Sequence, residues 1–304
     1  MTRQKIHGSQ QVRQSRRVER MVVGKPTSDG AGVKLTRVLT QPLQRRLDPF
    51  LMLDAFGSDN PDDYIAGFPD HPHRGFETVT FILAGNLAHY DSGGHASVIE
   101  AGGVQWMTAG SGLVHAEVSP PEFKRDGGPL EILQLWVNLP ARLKMTGPRY
   151  SGVQQDEIPA VPLPGNAGEL LLVSGAFDGT EGPIHSLTGV FMAVVRLAPG
   201  GRAELPAPQG RAVFLYVARG SVTVAGVPAE RWHLVSVNDD GDALAVAAGE
   251  DGAVLLFGHA DPIGEPVVAH GPFVMNSEAE IRQAIADYQA GKFGGGGRLM
   301  EVGE

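Results

Sequence analysis

Short apolar runs separated by turn residues dominate the chain from about Val33 onwards. In the first half they cover residues 78–83, 96–100, 104–108 and 130–137, and Gly, Pro, Asn or Asp interrupts them. A second series covers residues 170–174, 190–197, 212–218, 233–237, 243–247 and 253–257. Short strands at regular spacing with turn signals between them are typical of β-barrels and β-sandwiches. The pattern therefore predicts an all-β protein.

One helix is predicted near the end of the chain. Ser277 and Glu280 form an S-x-x-E capping box, and Ile281, Ile285 and Tyr288 recur at helical spacing. A run of glycines at 294–297 ends the element, which we expect to pack against a barrel. Between the two series of strands, residues 156–169 (DEIPAVPLPGNAGE) are rich in Pro and polar residues and predict an inter-domain linker.

The two series of strands resemble a degenerate repeat. Residues 71–85 (HPHRGFETVTFILAG) align without a gap on residues 206–220 (PAPQGRAVFLYVARG), which matches two pairs of glycines and a pair of aromatic residues. In this register Pro206 replaces His71, Pro208 replaces His73 and Ala212 replaces Glu77. Within this stretch the second copy thus lacks every metal-capable side chain of the first.

Two pairs of residues in the first half predict a metal site. His71 and His73 form an H-x-H pair, and residues two apart on a strand point to the same face. His115 and Glu117 repeat this spacing. If the two pairs face each other inside a barrel, three ring nitrogens and one carboxylate oxygen converge on a single ion. Such a set leaves up to two octahedral positions for water, oxygen or substrate, as in a catalytic site.

Two carboxylates compete for the acidic position in this site. Glu77 has the same strand parity as His71 and His73, so the spacing alone leaves Glu77 and Glu117 both open. The alternative role of Glu77 is to orient a ligand histidine or to hydrogen-bond a bound water. Imidazole suits Fe, Ni, Cu, Zn or Mn, and a carboxylate favours harder, redox-active ions such as Fe(II).

The sequence says less about the roles of the other histidines and of the aromatic residues near the predicted metal site. His89 and His95 flank a D-S-G-G turn, where a role in the loop or at a strand edge is expected. Phe68, Phe76 and Trp106 lie near the ligand strands and either line an aromatic pocket or fill a barrel core.

Composition and charge narrow the functional classes. The chain has 304 residues and no cysteine, which excludes thiolate metal sites and suits a reducing compartment, so we expect a cytoplasmic protein. No run approaches the about 18 apolar residues of a membrane span, and the basic start lacks a signal-peptide core. Residues 1–46 carry eleven Lys or Arg against two acidic residues, whereas the whole chain has a net charge of −9. An acidic body does not favour direct nucleic-acid binding.

Four segments of the chain resemble the pirin family of the cupin superfamily. They are LDPFLMLDAFG (47–57), HPHRGFETVTFILAGNLAHYDS (71–92), GGVQWMTAGSGLVHAE (102–117) and SEAEIRQAIADYQAGKFG (277–294). The resemblance implies a bicupin, that is, two antiparallel β-barrels of the jelly-roll or cupin type with a short C-terminal helix. It also implies one iron ion held by His71, His73, His115 and Glu117, which favours Glu117 over Glu77 as the acidic ligand.

The expected domain organisation follows from the pattern and the resemblance together. Residues 1–20 form a basic extension, residues 21–155 form the metal-binding barrel and residues 156–169 form the linker. Residues 170–304 form the second, metal-free barrel with the terminal helix.

The resemblance leaves two functions in competition. One is the pirin-like quercetin 2,3-dioxygenase branch, in which a divalent metal, Fe(II) by expectation, helps O2 to cleave a flavonol with release of CO. Glu117, or Glu77 in its place, would then accept the proton of the flavonol hydroxyl. The alternative is a metal-dependent, redox-sensing regulatory module that binds a protein partner, either as a transcriptional co-regulator or as a partner of a metabolic enzyme.

Overall fold

The computed structural model describes residues 14–39 and 43–294. Most of the predicted basic extension (residues 1–13) and most of the predicted glycine run (residues 295–297) lie outside the described residues. The strands up to the middle of the chain are β1 (Val18–Val23), β2 (Lys25–Asp29), β3 (Val33–Leu39), β4 (Phe50–Ser58), β5 (Phe68–His73), β6 (Phe76–Ala84), β7 (Leu87–Asp91), β8 (Ala96–Ile99), β9 (Val104–Thr108), β10 (Leu113–Val118), β11 (Leu130–Asn138) and β12 (Arg149–Val153).

The second half continues with twelve further strands among the described residues. They are β13 (Ala160–Leu163), β14 (Gly168–Ser174), β15 (Ala176–Phe177), β16 (Thr180–Glu181), β17 (Phe191–Leu197), β18 (Arg202–Pro206), β19 (Ala212–Val224), β20 (Val227–Glu230), β21 (His233–Val237), β22 (Ala243–Ala260), β23 (Val268–His270) and β24 (Phe273–Met275). Two α-helices are described, α1 (Pro121–Asp126) and α2 (Glu278–Gln289).

Two sheets enclose the first barrel. A seven-stranded sheet runs in the order β12-β9-β6-β11-β4-β3-β2, and a four-stranded sheet runs in the order β5-β10-β7-β8. The second barrel is one nine-stranded sheet, in which the long strands β19 and β22 each pair with several neighbours. Apolar side chains fill the second barrel. This arrangement confirms the predicted bicupin fold.

The largest hydrophobic core lies between the barrels rather than inside either one. Val79 and Phe81 on β6 pack outward against Tyr216 of the second barrel. Phe50 also meets Phe214 across the interface, with ring centroids 4.7 Å apart in an edge-to-face arrangement. One face of the seven-stranded sheet is therefore buried by the second barrel, and its other face forms the inside of the first.

The repeat seen in the sequence has a counterpart in the backbone. Gly75 and Gly210 both have positive φ angles of 90° and 79°, and Gly85 and Gly220 both have positive φ angles of 78° and 72°. The aligned aromatic residues, Phe81 and Tyr216, lie in the same core. The two halves thus share their turn geometry, which glycine permits without steric cost.

Both ends of the described chain cross to the other barrel. Strand β1, which spans the predicted boundary at residue 20, pairs with β21 of the second barrel. Arg16 is 1% exposed and donates to the carbonyl oxygens of Ala207 and Gly241. At the other end, helix α2 packs beside the first barrel. The predicted linker also contains strand β13, which pairs with β14, so residues 160–163 belong to the second barrel's sheet.

Helix α2 begins as predicted. Ser277 is its N-cap, and the Ser277 side chain accepts a hydrogen bond from the backbone N–H of Glu280. No helix in the described part of the chain is both long enough and apolar enough to cross a membrane.

Candidate metal centre

Three histidines meet where β5 and β10 pair. The strands are antiparallel, and His115 lies directly opposite His71. His73 follows two residues after His71 and points to the same face, as the H-x-H spacing predicts. One ring nitrogen from each of His71, His73 and His115 lies within 4.8 Å of the others. Three imidazoles so close together form a candidate metal site.

The polar atoms of these rings favour a metal over ordinary hydrogen bonding. His115 is 1% exposed, and neither of its ring nitrogens has a hydrogen-bond partner among the described residues. Leaving buried polar atoms unpaired is costly, so an orphaned imidazole requires an explanation. Burial, followed by the neighbouring histidines, holds the pKa of His73 and of His115 well below the usual value. Both rings are therefore neutral at physiological pH, which is the form that binds metals.

Backbone carbonyls fix the orientation of two of the rings. Nδ1 of His71 lies 2.8 Å from the carbonyl oxygen of Pro69, and Nδ1 of His73 lies 3.4 Å from the carbonyl oxygen of Pro272. When Nδ1 donates to a carbonyl, Nε2 keeps its lone pair and can face an ion.

Glu117 lies on the same strand as His115 but contacts different neighbours. Its carboxylate accepts hydrogen bonds from Thr80 (3.1 Å), from Gln134 (2.6 Å) and from the side-chain amide of Gln105. Among the described residues the cluster within 4.8 Å contains the three histidines and neither glutamate. Ligation by Glu117 stays a prediction.

Glu77 does not share a face with the histidines. Strand β5 ends at His73 and β6 begins at Phe76, because the chain turns at Arg74 and Gly75. After this turn Val79 faces the inter-barrel core, and Glu77 lies on that same side of β6, bonded to the hydroxyl of Thr108 at 2.7 Å. Burial raises the pKa of Glu77 to about 7. The parity argument fails here because it assumes an uninterrupted strand.

Aromatic side chains form one wall of the centre. Phe76 and Trp136 contact the ring of His73, with centroids 5.0 Å and 5.3 Å away. The two other aromatic candidates lie elsewhere. Trp106 belongs to the inter-barrel core, and Phe68 packs against Phe56.

His89 lies beside the cluster, whereas the sequence predicted a role in the loop or at a strand edge. It is fully buried on β7, and its ring centroid lies 5.4 Å from that of His115. Its Nε2 lies 3.2 Å from Asp91, and its ring stacks on Tyr150 at 4.2 Å. Alternation along the strand, with His89 and Asp91 on one face, was the available signal. His95 is part of the same group, with Nδ1 lying 3.0 Å from Asp91.

The C-terminal segment, residues 268–293, closes the outer side of the centre. Arg74, beside His73, donates to Asp287 on α2 at 2.8 Å, and its guanidinium lies over the ring of Phe293. Lys144 is 1% exposed and donates to the carbonyl oxygens of Gly75 (2.8 Å) and Val274 (2.9 Å) and to the side chain of Asn138 (2.7 Å). The turn after His73 is thus attached to the last part of the chain.

Known proteins are similar to this chain along most of its length. The Pirin family model matches residues 32–137, and the model of the pirin C-terminal cupin domain matches residues 192–294. A pirin-like protein of Caulobacter vibrioides is 46% identical over 282 residues, which cover 91% of this chain and 99% of that protein. Human pirin is 37% identical over 287 residues, covering 92% and 94%.

A solved structure agrees with these matches. The crystal structure of a quercetin 2,3-dioxygenase from Acinetobacter baumannii has a TM-score of 0.86 and 32% sequence identity, and the match covers 92% of this chain and 99% of that chain. The chain belongs to the pirin family.

Proposed function

We propose that the protein is a metal-dependent dioxygenase of the pirin type that cleaves a flavonol such as quercetin with O2 and releases CO. The observation that carries the proposal is the cluster of His71, His73 and His115, whose ring nitrogens converge while both nitrogens of His115 are without partners in the described chain. The similarity to a protein named quercetin 2,3-dioxygenase supports the choice of substrate class.

The three histidines would hold one divalent ion, and we propose Fe(II), with Glu117 as an additional ligand. Bound there, the ion would lower the pKa of a flavonol hydroxyl and bring the substrate close to O2. The aromatic wall of Phe76 and Trp136 would orient a flat substrate ring. Glu117, which lies next to the cluster along β10, would accept the hydroxyl proton.

The test combines metal analysis with turnover. The protein, purified under anaerobic conditions, is loaded separately with Fe(II), Ni(II), Mn(II), Co(II) or Cu(II), and its metal content is measured. We expect the Fe(II) form to consume O2 and release CO when quercetin is added, and activity with another metal alone would contradict the choice of Fe(II). His115→Ala should lose both metal and turnover. Fully metal-loaded protein that neither consumes O2 nor releases CO would contradict the proposed reaction.

A regulatory role is the second candidate, and one contact favours it. The carbonyl of Pro272 lies against His73, so the centre touches the C-terminal segment, whose helix is exposed on its outer side. A metal-dependent change in this segment would alter a surface that a protein partner could contact. Amide hydrogen exchange of residues 268–293, compared between metal-free, Fe(II) and Fe(III) protein, tests this role, and equal exchange in all three states would argue against it.

A further inference from the structure

A layer of polar side chains crosses the inside of the first barrel next to the histidine cluster. Glu117 lies at its middle, between Gln105 on β9 and Gln134 on β11, and Thr80 on β6 contacts the same carboxylate. We propose that Gln105 and Gln134 are positioning residues that bind the Glu117 carboxylate when it is not on the metal. Glu117 is then an exchangeable metal ligand, whereas the three histidines are permanent ligands. This inference rests on the proposed metal site.

Both oxygens of the carboxylate are already engaged. Oε1 accepts from Gln105 and from Thr80, and Oε2 accepts from Gln134 at 2.6 Å. Glu117 is 2% exposed, so bulk solvent does not replace these donors. An oxygen of Glu117 that turns toward the histidines therefore moves away from the side-chain amide that donates to it. The amides and the ion compete for the same charge.

The orientation of the Gln105 amide is fixed by a second set of contacts. The hydroxyl of Tyr150 donates to Oε1 of Gln105 at 3.1 Å, which leaves the NH2 group to face Glu117. Tyr150 is itself held, because its ring stacks on His89 at 4.2 Å and its hydroxyl is bonded to Ser97. The donor side of the arrangement is consequently preorganised before any ion is bound.

The strand geometry allows the carboxylate to move between the two environments. His115 and Glu117 are two residues apart on β10 and point to the same side of it. The pairing of β10 with β5 shifts between them, so that His115 lies opposite His71 whereas Glu117 lies opposite Phe68. Glu117 therefore lies on the same face as the cluster, but it is not paired across the strands with either His71 or His73.

An exchangeable carboxylate would solve a problem of charge burial. A substrate that binds through an ionised hydroxyl needs a coordination position, and a displaced carboxylate left unpaired inside a barrel is costly. The two amides and Thr80 would accept the displaced Glu117 without leaving its charge unpaired. The ligand class that fits this exchange is an anionic oxygen donor such as a deprotonated phenol or enol.

The test removes one amide donor without changing the size of the side chain. In Gln134→Met the carboxylate loses its 2.6 Å hydrogen bond and should remain on the ion, so Co(II) should bind about tenfold more tightly than to the wild type. Co(II) affinity is measured by competition with a chelator, and the visible absorption of bound Co(II) reports its coordination number. The matched control is Gln44→Met, since Gln44 is also half-buried and its amide donates to the carbonyl of Leu51. The control should bind Co(II) like the wild type.

Two further variants show whether the effect passes through Glu117. Tyr150→Phe removes the hydroxyl that orients the Gln105 amide, so this variant should also bind Co(II) more tightly than the wild type, but by a smaller factor than Gln134→Met. If Gln134→Met does not fold, Tyr150→Phe takes its place in the test. In the Glu117→Gln background, Gln134→Met should have no effect on Co(II) affinity or on the spectrum.

The outcomes separate this inference from the proposed function. Unchanged or weaker Co(II) binding by folded Gln134→Met would overturn only the proposed role of the amides and would leave the proposed function standing. An effect that persists in the Glu117→Gln background would do the same. Failure of the wild type to bind more Co(II) than His115→Ala would overturn the metal site, and with it both proposals.

Discussion

Replacing Lys144 by Met tests whether the turn after His73 is held by a buried ammonium group. The substitution leaves three buried acceptors, the carbonyl oxygens of Gly75 and Val274 and the side-chain oxygen of Asn138, without their donor. Each buried acceptor without a partner costs about 1 to 3 kcal/mol, so the three together cost about 6 kcal/mol.

A second effect opposes this loss. Burial lowers the pKa of Lys144 from 10.5 to about 8, which means that the folded protein disfavours the charged side chain. Removing that charge recovers about 3 kcal/mol at neutral pH, since each pKa unit corresponds to about 1.4 kcal/mol. The net expected loss in Lys144→Met is therefore about 3 kcal/mol in the free energy of unfolding.

The stability difference between the wild type and Lys144→Met should change with pH in a predictable direction. A simple loss of packing would give a difference that does not depend on pH. Between pH 8 and 10.5 the unfolded chain binds more protons at Lys144 than the folded chain does, so the contribution of Lys144 to wild-type stability rises with pH through this window. The variant lacks this group, so the gap between the two proteins should widen by up to about 3 kcal/mol. Urea unfolding of the metal-free proteins at pH 7, 8.5 and 10 measures the gap. A gap that narrows with pH, or a variant as stable as the wild type, would refute the reasoning.

Three other outcomes follow from the same contacts. In Gly75→Ala the new Cβ would lie 2.0 Å from the carbonyl oxygen of Val274, so we expect a loss of about 3 kcal/mol or more in urea unfolding, with reduced Co(II) content. Because burial raises the pKa of Glu77 from 4.5 to about 7, the contribution of Glu77 to stability should fall by up to about 3 kcal/mol as the pH rises through that range. The difference in unfolding free energy between the wild type and Glu77→Gln, measured by urea unfolding, should shift against the wild type by that amount. His115→Ala should bind Co(II) more than about 100-fold more weakly by chelator competition. The unfolding temperature of metal-free His115→Ala should change little, because the cavity left by the ring is offset by the removal of two buried nitrogens without partners in the described chain.

Local patterns were sufficient to predict the parts of the site that lie on one uninterrupted strand. His71 and His73 share a face because their strand continues through both residues, and His115 reaches them through ordinary antiparallel pairing. The capping box of the last helix was predictable for the same reason, since Ser277 and Glu280 act on each other within one turn.

Contacts between distant parts of the chain explain what the sequence did not predict. The face of Glu77 depends on the turn at Arg74 and Gly75. The backbone N–H of Val274, about two hundred residues away in the chain, donates to the carbonyl oxygen of Arg74 in that turn. The amides that donate to Glu117 come from β9 and β11. Spacing along the sequence does not predict which side chains of separate strands will meet inside a barrel. The placement of β1 in the second barrel likewise depends on pairing with β21.

The crossing of both chain ends has a consequence for how the molecule responds to its ligand. Strand β1 precedes the first barrel yet belongs to the second, and helix α2 follows the second barrel yet contacts the first through Arg74 and Asp287. Unfolding of either barrel would release an element of the other, so the two should melt in one cooperative transition rather than as independent units. An ion held by three histidines in the first barrel would then raise the unfolding temperature of the whole chain by mass action, including that of the second barrel.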